Sequence, residues 1–300
     1  MSIKKDLYNE FQVPEYPLSF ESEVEKAQIK EEIHQRLQQS IASQQLQKRG
    51  IVKSLLNYKV AAALIAVTSF LFISYNYYFK EDKRAYITLS APKGKVMEFL
   101  LPDSSRIVLN AASTLKYLVK FKNTRDVYLE GEAFFDVSHD ASKPFIVHTG
   151  SVSTRVLGTA FNIKAYKKLP SITVTVQRGK VRVDEKNNNL GLLTPNKQLI
   201  VNKANYTAIN RTVVAEDATS WTGGKFVLQG VYFHEMMLAI ENRFNVKMIY
   251  DAKAFSNCQN SIQFTQKQSL TDVLKLLKDI QGIKYTIKND SVLITGKPCR

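Results

Sequence analysis

The first long hydrophobic run organises the whole chain. Val60–Phe79 reads VAAALIAVTSFLFISYNYYF without one charged residue. About 20 residues at 1.5 Å each cover roughly 30 Å, the thickness of a bilayer core. Tyr58 at one end, and Tyr75, Tyr77 and Tyr78 at the other, stand where interfacial aromatic belts are found. The run begins only at residue 60, too late for a secretory signal, and is apolar nearly all round, unlike a core helix with one polar face. The pattern predicts one transmembrane helix over residues 60–79.

Before the span, residues 1–59 form an arm of mixed charge with few large apolar groups. Its best helix runs from about Phe20 to Leu46, opening SFESEVEKAQIKEEIHQRLQQSI, with Ser19 as a cap and acids in the first turn. Ile29, Ile33, Leu37 and Ile41 recur every four residues and lie along one narrow stripe. The arm holds nothing else for that stripe to pack against. It is therefore the candidate partner-binding site, for another protein, a second copy or the membrane surface. A solvated helical stalk is the alternative.

After Lys80 the period shortens to two. RIVLN, RDVYLEGEAFFDV, PFIVHT, VSTRVLG, FNIKAY, SITVTVQRGKVRVD and KQLIVN read as strands, and LPDSS, HDASKP, YKKLPS and DEKNNNLG as the turns between them. This predicts an all-β sandwich, barrel or β-helix-like stack within residues 80–212. From Trp221 helices return. Phe226–Tyr250 and Ile262–Ile287 align at a period of about 37 residues, each as strand, amphipathic helix, strand. Met236, Met237 and Ile240 face inward in the first helix, and Val273, Leu274 and Leu277 in the second. Asn245 and Gly282 sit where a left-handed helix end is wanted. Residues 221–296 are thus expected to form a small α+β domain of doubled β-α-β design, closing on SVLIT.

Composition sharpens this picture in two places. The hydrophobic fraction of 44% can support a packed core, and the net charge of +15 points to an acidic or anionic counterpart. Most of the basic excess follows the span and lacks a recognition helix or aromatic platform, so direct nucleic-acid binding is not indicated. Strands such as KVRV read as solvated faces, or as a match for an acidic protein surface or an anionic envelope polymer. Lys48, Arg49, Lys53 and Lys59 before the span give a slight bias toward a cytoplasmic N-terminus. The two cysteines, Cys258 and Cys299, match no metal spacing. Paired, they would close a loop of about 40 residues and stabilise the fold by roughly 4 kcal/mol, although Cys299 stands beside a terminus, where chains are usually mobile.

No constellation for catalysis stands out. Glu130, Glu132 and Asp136 share one face of a strand, with Gly131, Ala133 and Phe135 opposite, and read as a solvated face rather than as paired carboxylates. His139 and His148 have no third ligand nearby, and His34 and His234 are isolated on predicted helices. No nucleophile elbow, P-loop or dinucleotide fingerprint occurs. No enzyme, metal or cofactor is expected.

Three blocks in order carry a resemblance: LPDSSRIVLNAASTLKY (Leu101–Tyr117), VYLEGEAFFDVSHDASKPFIVHT (Val127–Thr149) and VLGTAFNIKAY (Val156–Tyr166). Following one membrane span, they resemble the FecR family, transmembrane regulators of extracytoplasmic-function sigma factors. The C-terminal repeat is similar to the small domain that follows FecR domains in Bacteroidetes, and to the short signalling domain of secretins and TonB-dependent receptors. The resemblance implies a single-pass inner-membrane protein with a cytoplasmic arm and a periplasmic body. It implies a sigma factor as the inner partner and the signalling domain of an outer-membrane TonB-dependent transducer as the outer one, with a ferric siderophore or a glycan as the inducer and no cofactor. The chain departs from the family at Ser104–Ser105, where members usually carry Gly, and its arm lacks the family's acidic, Trp-bearing segment. An anchored periplasmic binding module for a glycan or envelope protein, without a sigma partner, is the competing reading.

Overall fold

Ser22 opens the chain's longest element: its Oγ accepts the backbone N–H of Glu25 at 3.3 Å, a first-turn cap. The computed structural model describes residues 22–79 and 85–296. Helix α1, Glu23–Phe79, begins with Glu23 and Glu25 in its first turn, where acids complement the helix dipole. Ser19 and Phe20 lie outside the described residues. The helix does not stop near Leu46 but runs without a break into the apolar segment. Residues 46–60 contain no proline, and the single Gly50 costs only about 1 kcal/mol against alanine, too little to end a helix. Tyr58–Tyr75, with a mean hydropathy of 1.6 and no buried residue, is long and apolar enough to cross a membrane.

The described residues from 85 to 296 form a separate compact unit. Its first part, the β body, contains thirteen strands: β1 (Tyr86–Ala91), β2 (Met97–Leu100), β3 (Arg106–Leu109), β4 (Ser113–Leu118), β5 (Arg125–Asp136), β6 (Phe145–Thr149), β7 (Val152–Val156), β8 (Ala160–Ala165), β9 (Ser171–Arg178), β10 (Val181–Glu185), β11 (Asn188–Leu193), β12 (Lys197–Asn202) and β13 (Ala208–Thr212). Strand β5 belongs to two half-sheets. Its first half pairs with β4 and β6, Thr114 opposite Glu130 and Arg125 opposite Phe145. Its second half pairs with β3 and β8, Leu109 opposite Ala133 and Gly131 opposite Ala165.

The switch falls at Gly131, whose φ of +103° lies in a region open to glycine and closed to side chains. A Cβ there would also meet Ser113 Oγ at 2.3 Å. Between the two half-sheets lies one apolar core that includes Ile107, Leu115, Phe135, Phe145, Phe161, Val174 and Leu199. All pairings in the body are antiparallel except β5 with β6. A β-helix-like stack would require parallel rungs, so the arrangement is a sandwich-like, nearly closed sheet whose ends, β11 and β13, approach each other.

Ser104, in the turn that precedes β3, has a φ of +65°. Left-handed backbone costs an L-residue about 1–2 kcal/mol, and glycine adopts it freely. Ser104→Gly is expected to raise stability by about 0.5–1 kcal/mol, read as a higher urea midpoint with an unchanged slope.

Beyond the body, α2 (Ala215–Thr219) and a 3₁₀ turn at Ser220–Gly223 lead into a second module. It comprises β14 (Lys225–Tyr232), α3 (Phe233–Phe244), β15 (Lys247–Ile249), β16 (Gln259–Thr265), α4 (Leu270–Gln281), β17 (Lys284–Lys288) and β18 (Ser291–Thr295). Strands β14 and β16 form one antiparallel pair; β15, β18 and β17 form a small mixed sheet. The inward helical positions expected from periodicity are all buried: Met236, Met237 and Ile240 on α3, and Val273, Leu274 and Leu277 on α4. Both helices end in left-handed residues, Asn245 (φ 51°) and Gly282 (φ 69°). Ser269 and Asp272 form a reciprocal capping box at the start of α4. Cys258 is buried and disulfide-bonded; Cys299, the chain's other cysteine, lies outside the described residues.

Candidate functional site

The stripe proposed for partner binding stands on α1 as a row of apolar groups facing solvent. Ile33 is 42%, Leu37 38% and Ile41 55% exposed, and Ile29 is half-buried. Arg36 and Glu32 pair at 2.8 Å one turn apart, as solvated helix residues do. Four aliphatic side chains one turn apart form a ridge along the helix. Leaving them in water forgoes about 1.5–3 kcal/mol for each one that could be fully buried.

A second arrangement, not read from the sequence, lies where the C-terminal module meets the β body. Val108, Phe134 and Ala160, on the outer side of the second half-sheet, share one apolar cluster with Trp221, Phe226, Phe233 and Met236. Around it runs a polar rim. Lys164 Nζ on β8 reaches Glu235 Oε1 on α3 at 2.5 Å, and Lys168 and Lys93 both approach Glu241 Oε1, at 2.9 and 3.4 Å. The N–H of Gly94 donates to the carbonyl of Asn242 at 2.7 Å.

This covering explains the one acid of the Glu130–Glu132–Asp136 face that is not solvated. Glu130 pairs with Lys167 at 2.8 Å and Asp136 with Arg178 at 2.7 Å, both at the surface. Glu132 is only 7% exposed, because the module closes over this half of β5. Its carboxylate accepts from Asn110 Nδ2 at 2.8 Å and Asn162 Nδ2 at 2.9 Å. A cavity of about 80 Å³ separates these residues from the module, lined also by Tyr166, Trp221 and Asn242. His148 pairs with Asp126 at 2.7 Å and stacks on Tyr128, and His139 sits in a loop. Among the described residues no group of three or more His, Cys, Asp or Glu could hold a metal.

Burial disfavours charge on both members of the central pair, yet each remains ionised because of the other. Burial pushes the Lys164 ammonium down, but the Glu235 and Glu132 carboxylates outweigh it and raise its pKa. Burial likewise pushes Glu235 up, and Lys164 outweighs it and holds the carboxyl below its usual value. Burial, then the nearby Glu132 carboxylate, raises the Tyr166 phenol, which stays protonated and donates to the Ala111 carbonyl at 2.8 Å. The stabilisation from Glu235 is therefore complete above the usual glutamate range, about 4.3, and is lost as pH falls through its lowered value. That from Lys164 is complete below about 10.4 and is lost only as pH rises through its raised value. Glu235→Gln is expected to lower stability by about 2 kcal/mol at neutral pH, measured by urea unfolding, and to flatten the acid side of the stability profile.

Two family models match the chain: FecR protein over residues 87–182 and FecR, C-terminal, over residues 225–294. The first falls on β1 to β10 and the second on β14 to β18. The chain belongs to the FecR family. Two crystal structures of a candidate anti-sigma factor from Parabacteroides distasonis ATCC 8503, at 2.50 and 1.65 Å resolution, are similar at 30% identity and a TM-score of 0.66. Each match covers 70% of this chain and 98% of the other. No curated protein matches the chain. Neither the seam nor the burial of Glu132 was visible in the sequence, because ion pairs between β8 and α3 join segments about 70 residues apart and leave no local period. The lone Trp221 was the nearest signal.

Proposed function

We propose that this FecR-family protein is a single-pass inner-membrane regulator that relays a signal to an extracytoplasmic-function sigma factor. Family membership, carried by two matched regions in order, is the observation that supports this reading most. In it the arm is cytoplasmic and the stripe of Ile29, Ile33, Leu37 and Ile41 grips the sigma factor. Residues 60–79 cross the membrane among lipid, with Tyr58 and Tyr75 at its interfaces. The β body and the C-terminal module are periplasmic and receive the signalling domain of an outer-membrane TonB-dependent transducer. The module is read as a doubled β-α-β unit, the pair β14–α3–β15 and β16–α4–β17 supporting that design. Its shared core and ion-paired rim with the body make it suited to pass a load onward rather than to swing freely. Such a relay requires no catalysis.

The test is transcriptional. In a cell carrying a reporter for each extracytoplasmic-function sigma factor, deletion of residues 1–46 is expected to change the output of one reporter and leave the others alone. An unchanged set of reporters would remove the sigma-factor role.

A further inference from the structure

The basic excess of the chain is concentrated on the β body. Residues 85–212 carry nineteen Lys and Arg against nine Asp and Glu, whereas residues 213–296 carry nine against eight. On the outer face of the first half-sheet this charge lines a cleft of about 380 Å³. Arg155, Lys180, Arg182 and His139 contribute its polar groups, and Leu157 and Leu192 its apolar walls.

The cleft is built at a cost to the sheet. Arg155 on β7 stands directly opposite Arg182 on β10, and Arg182 opposite Leu192 on β11. Like charges opposed across a rung repel, at side-chain separations of about 5 Å. Among the described residues only one of the two guanidiniums has an acidic partner: Arg182 Nε donates to Asp184 at 2.8 Å. Leu192 is 63% and Leu157 42% exposed, so the walls present bare aliphatic surface to solvent. Gly158 holds the floor close to the adjoining loop, where a Cβ would meet His139 at 2.6 Å.

We infer that this cleft is a docking site for an extended acidic segment of a protein partner, with carboxylates two residues apart and aliphatic side chains among them. Arg155 and Arg182 offer planar forks suited to carboxylates. Lys180, just ahead of β10, stands two residues before Arg182, an extended separation of about 7 Å, which is the spacing of same-face side chains on an extended peptide. A bare headgroup phosphate would answer the cations but leave Leu157 and Leu192 without an apolar counterpart. The surface lies on the β body, not on the arm, and the inference stands whether or not the arm binds a sigma factor.

The experiment uses the full chain in nanodiscs of zwitterionic lipid and a fluorescent hexapeptide of alternating Asp and Leu. Binding is expected in the micromolar range and should weaken steeply as salt rises. Arg155→Gln should reduce affinity at least tenfold while the melting temperature holds or rises, because the repulsion across the rung is gone and the Arg182–Asp184 pair is kept. Leu192→Asp, which places an acid in the wall, should do the same from a different residue. No binding by the wild-type chain, or equal binding by both variants, would overturn the site. Displacement of the peptide by phosphatidylglycerol vesicles, with a lysine-leucine control peptide inert, would overturn the protein partner in favour of lipid.

Discussion

Arg125→Met is expected to lower the stability of the β body by about 3–5 kcal/mol, the cost of breaking a buried ion pair from one side. The Arg125 side chain is 3% exposed and its partner Asp103 13%. One guanidinium nitrogen donates to Asp103 Oδ2 and to the Ser138 carbonyl, each at 2.8 Å, and Nε donates to the Lys143 carbonyl at 2.8 Å. The same group lies 5.5 Å from the ring centre of Phe145. Three chain segments, the 101–105 turn, the start of β5 and the 138–143 loop, are thus tied by one side chain. Methionine fills much of the volume but leaves the Asp103 carboxylate without its counter-charge, held only by Ser105, and takes a donor from the Ser138 and Lys143 carbonyls where water has little access. Arg125→Lys should recover only part of the loss, since one ammonium cannot match the fork. Unfolding in urea, followed by tyrosine and tryptophan fluorescence of the full chain in detergent, reads the effect. A midpoint within error of wild type would show that the network contributes nothing net.

The parts of this architecture legible in the sequence were those with a local period. The helix long and apolar enough to cross a membrane, the inward positions of α3 and α4, and their left-handed ends at Asn245 and Gly282 follow from an unbroken apolar run, from spacing of 3.6 and from helix-end chemistry. Strands β3, β5, β6, β7, β8 and β12 were readable from alternation. The run SITVTVQRGKVRVD was not. Its apolar positions are even up to Val176 and odd from Val181, and Gly179, at a φ of +90°, divides it into β9 and β10, which join different half-sheets. Alternation reports which face a residue takes, not which strand it will pair with. The same limit left sandwich, barrel and stack all open, since Gly131 shows as a lone glycine in the sequence and as a sheet switch only in three dimensions. Glu132 looked like its neighbours Glu130 and Asp136, because nothing within the strand records that a module 90 residues later covers it. The arm helix was placed with a boundary near Leu46, although the backbone had no reason to stop there.

The largest functional effect is expected on the arm. In the sigma-regulator reading, Ile33 and Leu37 lie at the centre of the contact, 42% and 38% exposed in the free chain. Burying each against a partner contributes about 1.5–3 kcal/mol, and an aspartate there replaces that gain with an unpaired charge facing an apolar groove. At 1.4 kcal/mol per tenfold, Ile33→Asp with Leu37→Asp should weaken binding at least a hundredfold. Both positions are solvent-facing on a continuous helix, so the fold of the β body should be untouched.

The most direct measurement is therefore the affinity of the full-length chain in nanodiscs for each extracytoplasmic-function sigma factor of its cell, with that double variant beside it. Tight binding of one sigma factor by the wild-type chain, lost at least a hundredfold in the variant at an unchanged melting temperature, is the predicted result. Binding to none of them, or to one with equal affinity in both proteins, would contradict the account.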